Sequence, residues 1–407
     1  MGCVQTLRRS STASRNSPSA EREDRSGPPP AGPFRCCDRT ESDAGCIARA
    51  RMSTTSSRPR LRRSDCSVPG LRRARRGGGF SYRDEFGNRV HEPAVVDRLS
   101  ALAIPPAWKD VWICPDPWGH LQATGIDAAG RKQYLYHVRW RARRDREKFE
   151  RMVRFARALP RLRKSLRSDL ESSEDPNSER VLACAVRLLD VGLFRVGSEE
   201  YAEDDHGVGL ATVLKEHVIC RGDAAVFNYP GKGGVRRVHI IEDPLTRPVL
   251  RMLKRRRNAG EQLLAYRERR AWHPVRSADI NDYLKRQIGE EFSAKDFRTW
   301  NATVLAAVSV AADGAEARSK PASKTARKRT IDRAVRGVAE LLGNTPAVAR
   351  RAYIDPRVFD RYLSGLTVAG ALKHLEERDS ADDRVRARVE RAVLGLLSDT
   401  PRRRRTD

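Results

Sequence analysis

Long apolar runs are missing from this 407-residue chain. A helix that crosses a bilayer needs about 18 or more consecutive apolar residues, and the best stretch here, "ATVLAAVSVAA" at 302–312, is the material of a buried helix. Metal-binding patterns are missing too. Eight cysteines fall at 3, 36, 37, 46, 66, 114, 184 and 220, with no CxxC and no His-x-x-x-His, which argues against a zinc site. No acidic triad converges to hold a divalent ion. The stretch "YPGKGG" lacks both the spacing and the Ser/Thr of a phosphate-binding P-loop. With no hydrophobic signal core, the reducing cytoplasm is the expected compartment. Aromatic residues are almost absent from the first 79 positions, where Phe34 stands alone.

Positive charge is what the chain has in excess. Lys plus Arg number 80 against 53 Asp plus Glu, a formal net charge of +27, with a pI of about 10.5. Such a field predicts a polyanionic partner, most simply nucleic acid. An anionic membrane surface is the second reading. The length is enough for two or three domains.

Composition divides the chain. Residues 1–79 are rich in Ser, Pro, Arg and Gly and cannot bury enough apolar surface to offset their ordering entropy, so a disordered basic tail is expected. A transit peptide is a second reading of that tail, opposed by Glu21, Glu23 and Asp24; a true start at Met52 is a third. From "GFSYRDEFGNRV" a hairpin is expected, with "FSYRD" and "EFGNRV" around a Gly-Asn turn signal. A helix ending before Pro105 and short strands in "DVWICP", "HLQATGID" and "KQYLYH" complete a small β-rich domain over 80–140. Helical periodicity dominates 141–400. "SERVLACAVRLLDVGLF" is amphipathic, and three strands, "HVICRG", "AAVFNYP" and "VRRVHIIED", interrupt the helices. The segment 313–330 is a basic linker or the solvated start of a helix, and the basic tail 401–407 is unstructured. The fold class is therefore α+β.

Four places carry candidate chemistry. Arg195 follows the buried helix, with Tyr201 on the next turn; Lys232 sits at the tip of a hairpin; Arg298 opens an apolar helix; and "LLGNTPAVARRAY" supplies Asn344 and Tyr353. Gly343 suits a helix C′ position, Thr345 an N-cap and Pro346 the first helical position, so a short new helix should carry Tyr353. Singly, each has an ordinary explanation: an ion-pair partner, a hairpin-tip lysine, a capping charge, a polar turn residue, a core tyrosine.

Together, in the order Arg, Lys, Arg, Asn, Tyr, they resemble the active site of type IB DNA topoisomerases, most closely the compact poxvirus-type enzymes found in many bacteria. The resemblance runs from about Ser81 to the C-terminal helices. It is carried by "DEFGNRVHEP", "IPPAWKDVWICPDPWGHLQATGIDAAGRKQYLYH", "LFRVGSEEYA", "GLATVLKEHV", "KDFRTWNA" and "LGNTPAVARRAYIDP". It implies a β-rich DNA-gripping domain before a mainly helical catalytic domain with a three-stranded sheet. It also implies relaxation of supercoiled DNA by transient single-strand cleavage, without ATP, metal or other cofactor. In that reading Tyr353 forms a 3′-phosphotyrosyl link, Arg195 and Arg298 clamp the phosphate, Lys232 is the general acid, and Asn344 donates to a phosphate oxygen. Poxvirus enzymes carry histidine at this last position, and an amide cannot shuttle protons. The strand "GRKQYLYH" would lie in the major groove, with Arg131, Lys132, Gln133, Tyr134 and Tyr136 as DNA contacts and Tyr201 as another. The partner would be double-stranded DNA, gripped by a monomeric clamp at the nucleoid.

The residue types suit the chemistry independently. A phenol with a pKa of about 10 needs neighbouring cations to ionise. Guanidinium groups stay charged, pair with two non-bridging oxygens and stabilise the charge of a phosphorane-like transition state. An ammonium can protonate the departing 5′ oxygen. Two rivals remain. A tyrosine recombinase shares the Arg, Lys, Arg, Tyr chemistry but usually places histidine three residues before the second arginine, where this chain has Lys295. A DNA-binding protein without activity is the other.

Overall fold

The computed structural model describes residues 60–197, 207–257, 260–316, 323–373 and 383–398. Tyr201, residues 1–59 of the expected N-terminal tail and the C-terminal tail 401–407 lie outside the described residues. Two compact units meet in the chain at Arg146 and Glu147.

The first unit is an antiparallel five-stranded sheet of order β2-β1-β3-β4-β5, formed by β1 (Leu71–Arg76), β2 (Gly79–Arg83), β3 (Lys109–Ile113), β4 (Leu121–Ile126) and β5 (Lys132–Tyr136). Helix α1 (Pro93–Ala101) starts on a proline, whose fixed φ suits that position. One sheet face is apolar: Ile113 and Ala123, with Leu71, Tyr82 and Leu135, pack with Leu99 of α1 in one core. On the other face Trp112, Cys114 and Leu121 cluster with Cys66. Here Ser64 Oγ donates to the Leu121 carbonyl at 2.9 Å, and Trp112 Nε1 donates to the Val68 carbonyl at 3.0 Å.

Two expectations change. The ordered unit begins well before residue 80, because β1 lies between β2 and β3 and is one of the sheet's interior strands. Strand β2 pairs along its length with β1, Arg72 to Arg83 through Arg76 to Gly79, rather than with "EFGNRV". That second segment closes a tight turn in which the Asp84 carboxylate accepts from the N–H groups of Phe86 and Asn88, leaving only an Arg83–Arg89 bridge. Arg72, Arg83 and Arg89 thus stand abreast, all exposed.

The second unit is mainly helical. Its helices are α2 (Val138–Glu171, entering from the first unit), α3 (Ser178–Gly192), α4 (Arg247–Arg255), α5 (Ser277–Ile288), α6 (Ala294–Glu316), α7 (Lys324–Leu342), α8 (Pro346–Ala352), α9 (Arg357–Leu363), α10 (Ala369–Leu372) and α11 (Asp383–Ser398). The expected three strands are β6 (Val218–Arg221), β7 (Ala224–Pro230) and β8 (Arg236–Ile241), in sheet order β6-β7-β8. An additional hairpin, β9 (Ala265–Glu268) with β10 (Ala271–Pro274), stands where helices alone were expected. Its turn carries Arg269 at φ 53 instead of the glycine or asparagine that announces such a conformation.

Apolar faces of α2, α3, α5 and α6 meet in one core around fully buried Phe155, Phe297 and Trp300. Phe155 and Phe297 cross edge to face at 4.9 Å. Inside this unit a charge cluster is fully matched. Arg163 bridges Asp190 at 2.9 Å and Glu390 at 2.6 Å, Arg187 bridges Asp243 at 2.8 Å and Asp383 at 2.9 Å, and Arg386 reaches Asp190 at 2.6 Å. The cluster ties α11 to α2 and α3, the helix that leads to Arg195. Among the described residues no helix is long and apolar enough to cross a membrane.

Candidate active site

Local sequence signals bring Tyr353 into place. Helix α7 ends at Gly343, which adopts φ 63 as its C-cap. Thr345 then caps α8, its side chain accepting from the Val348 N–H, and Pro346 opens the helix. Tyr353 is the C-cap of α8, with its N–H donated to the Ala349 carbonyl at 3.0 Å. Fully buried Thr303 of α6 fixes the backbone on both sides. Its hydroxyl lies 3.2 Å from the Tyr353 carbonyl and accepts from the Asp355 N–H at 3.2 Å.

The same helix α6 carries Arg298, whose Nη1 donates to the Leu193 carbonyl and whose Nη2 donates to the Leu342 carbonyl at 2.8 Å. Leu193 ends α3 at φ 59, an uncommon conformation for a leucine, and this turn sends the chain back so that Arg195 faces the same place. Arg195 Nη2 donates to the Gly343 carbonyl at 3.0 Å. Both guanidinium groups also donate to Asn344 Oδ1, at 3.3 Å from Arg195 and 3.1 Å from Arg298. This double acceptance orients the carboxamide and leaves its N–H groups as the free donors. The Arg298 guanidinium lies 5.4 Å from the centre of the Tyr353 ring, and its buried Nε has no partner.

Among the described residues no carboxylate neutralises either arginine. Burial pushes the Tyr353 phenol up, but the charges of Arg298, Arg195 and Lys295 outweigh it and hold its pKa below the ordinary tyrosine value. Burial, then repulsion from Arg195, lowers Arg298 to about 10. Tyr229 faces the same cations with the opposite result: burial raises it to about 12. Its hydroxyl lies 3.2 Å from Nε2 of His239, which burial and then Arg237 and Arg298 lower to about 4. Two tyrosines thus lie in the field of Arg298 and Arg195, which lowers the pKa of Tyr353 but does not offset the burial of Tyr229.

The family model of the eukaryotic DNA topoisomerase I catalytic core matches residues 137–369, more than half of the chain. The chain belongs to the type IB DNA topoisomerases. A model of the bacterial DNA topoisomerase IB N-terminal domain matches residues 79–127. The chain is 29% identical over 301 residues to DNA topoisomerase 1B of Acanthamoeba polyphaga mimivirus, covering 72% of this chain and 88% of that protein. It is 24% identical over 275 residues to DNA topoisomerase 1B of vaccinia virus strain Copenhagen, covering 64% and 80%. With DNA topoisomerase 1 of Schizosaccharomyces pombe the identity is 26% over 226 residues, covering 54% of this chain and 26% of that one.

In this topoisomerase four of the five expected catalytic side chains converge: Arg195, Arg298, Asn344 and Tyr353. Lys232 does not join them. It sits in a 3₁₀ turn, Lys232–Gly234, at the tip of the β7–β8 hairpin, exposed and without a hydrogen bond or ion pair among the described residues. On β5, Lys132, Tyr134 and Tyr136 point outward, the two tyrosine rings stacked at 6.3 Å. Arg131 and Gln133 are engaged instead with Asp127, at 3.0 and 2.9 Å, and Leu135 packs toward the core. Sequence reading missed Thr303 and Arg237. A threonine in an apolar helix carries no signal of its own, and Arg237 is one basic residue among many.

Proposed function

We propose that this topoisomerase relaxes supercoiled double-stranded DNA by cutting and resealing one strand through a bond between Tyr353 and a 3′ phosphate, without ATP or a metal ion. The observation that carries the reading is a pair of guanidinium groups beside a phenol of lowered pKa, with no carboxylate among the described residues that hold them. Elsewhere in the unit Arg163, Arg187 and Arg386 are all matched by acids. Arg195 and Arg298 are held by neutral carbonyl and amide oxygens, so their charge is available to an anion. The orphaned Nε of Arg298 gives that anion a donor.

Tyr353 loses its proton to solvent as its oxygen attacks phosphorus. The bond from phosphorus to the 5′ oxygen breaks, and Lys232 gives that oxygen a proton. Arg195, Arg298 and an Asn344 N–H meet the non-bridging oxygens as charge accumulates there. One phosphodiester replaces another, so the reverse step needs no external energy, and two fixed cations supply the charge that a metal would otherwise supply. Residues 60–146 form the DNA-gripping unit, with the Lys132, Tyr134 and Tyr136 face toward the duplex, and a single chain suffices.

The test is plasmid relaxation in EDTA without ATP, together with trapping of protein–DNA adduct by detergent. The unmodified protein should relax DNA under both conditions, and Tyr353→Phe should bind DNA yet give no adduct. An adduct of normal yield from Tyr353→Phe, or relaxation that requires ATP or magnesium, would overturn the proposal.

A further inference from the structure

Lys232 poses a problem: an exposed side chain on a hairpin tip must deliver a proton at a defined point. The hairpin is held at its base. The Val208 N–H donates to the Pro230 carbonyl at 2.8 Å, and the Gly231 N–H donates to the Val235 carbonyl at 2.9 Å. Gly207 lies directly against the backbone of Gly231 and Lys232, so closely that a Cβ there would overlap them. These contacts fix the turn's shape, yet none connects it to Tyr353.

Arg237 makes that connection. It stands on β8 opposite Tyr229 of β7, five positions after Lys232. Its side chain crosses over Gly231, where an added Cβ would come within 2.7 Å of the arginine Cγ. Its Nη1 then donates to the Glu340 carbonyl, at the end of α7, at 3.2 Å. The guanidinium lies flat against Gly343, so that a Cβ on this glycine would fall inside it. One side chain therefore spans from the Lys232 hairpin to the turn that presents Asn344 and starts α8. Arg237 is half-buried and has no carboxylate partner among the described residues.

We propose that Arg237 is a positioning residue that docks the Lys232 hairpin onto the α7–α8 turn and so sets where the leaving oxygen receives its proton. The inference rests on the role assigned to Lys232 under Proposed function. It makes the two glycines, Gly231 and Gly343, the clearance through which the arginine passes. Direct contact of Arg237 with a phosphate oxygen is the competing role, since its neighbour Arg195 is assigned there.

A substrate with sulfur in place of the bridging 5′ oxygen separates the two, because a thiolate leaves without a proton. Arg237→Ala should cleave ordinary DNA roughly ten- to a hundredfold more slowly, the range expected for a catalytic group displaced by about an ångström. It should cleave the sulfur substrate at close to the unmodified rate, which also shows that the variant is folded. Combined with Lys232→Ala, it should be no slower on ordinary DNA than Lys232→Ala alone, because both act on one proton transfer. If Lys232→Ala is rescued by sulfur and Arg237→Ala is not, Arg237 binds phosphate itself and the docking role is wrong. Multiplied defects in the double variant would reject it too. If Lys232→Ala is itself not rescued, the failure lies in the general-acid assignment.

Discussion

Arg298→Ala should damage cleavage far more than it damages the fold, despite removing one of the most buried charges in the protein. The guanidinium donates to two buried carbonyls, those of Leu193 and Leu342. Charge-assisted bonds are worth about 1.5–3 kcal/mol each, so their loss costs about 3–6 kcal/mol. Against this stands the strain of keeping the group charged. A fall in its pKa to about 10 is equivalent to roughly 3 kcal/mol of unfavourable charge at every pH below that value, and alanine removes it. The net loss of stability is then about 0–3 kcal/mol. Cleavage should fall by about a hundredfold or more, as when one oxyanion donor is deleted. Arg195→Ala should slow cleavage comparably, yet change stability by only about 1 kcal/mol, since this arginine is half-buried and closes no second helix end. Urea unfolding gives the first quantity, and single-turnover adduct formation at saturating enzyme, well below both unfolding transitions, gives the second. Cleavage losses that track the stability losses across the two variants would refute the assignment, as would an Arg298→Ala enzyme within tenfold of the unmodified rate.

Cleavage should rise with pH and level off below the ordinary tyrosine pKa of about 10, and Arg298→Ala should move that inflection upward; an unmoved profile means that Tyr353 is not the titrating group. The Asp190 carboxyl is buried, but Arg163, Arg386 and Arg187 hold its pKa well below the usual range. Its contribution is therefore present above a pH of about 4 and is lost as pH falls. Asp190→Asn should cost about 3–5 kcal/mol in urea unfolding at neutral pH, and a variant of equal stability would show the cluster to be dispensable. A chain beginning at Arg60 should relax plasmid, whereas one beginning at Gly79 lacks β1 and exposes Trp112. Full activity and an unchanged melting profile in the shorter chain would contradict the interior position of β1.

What could be read from sequence was what short-range chemistry announces. Gly343, Thr345 and Pro346 signal a helix end, a cap and a restart, and the structure has all three. The strands β3 to β5 alternate or are bounded by Pro, Gly and Asp. Strand β1 was hidden because four of its six residues are arginine and its single large apolar residue, Leu71, gives no alternation. The hairpin β9–β10 was hidden because an arginine occupies its positive-φ turn. The convergence of Arg195, Arg298 and Asn344 depends on contacts across about 150 residues, which resemblance could suggest but periodicity could not. The route of Arg237 over two glycines has no sequence signature at all.

Three arginines abreast on strands β1 and β2 and the bridge beside them repel one another, and among the described residues Arg72, Arg83 and Arg89 have no acid between them to relieve it. Like charges directly opposite on a ladder oppose sheet formation, so this edge of the sheet holds in spite of its charge. Most protein surfaces lose a little stability when dissolved ions screen their ion pairs. Here the screened interaction is a repulsion, and the sign reverses. Raising sodium chloride from about 0.05 to about 0.3 M shortens the screening length to a few ångströms. In the full chain that change should raise the temperature at which the β-sheet unit melts, and Arg83→Gln should remove part of the gain.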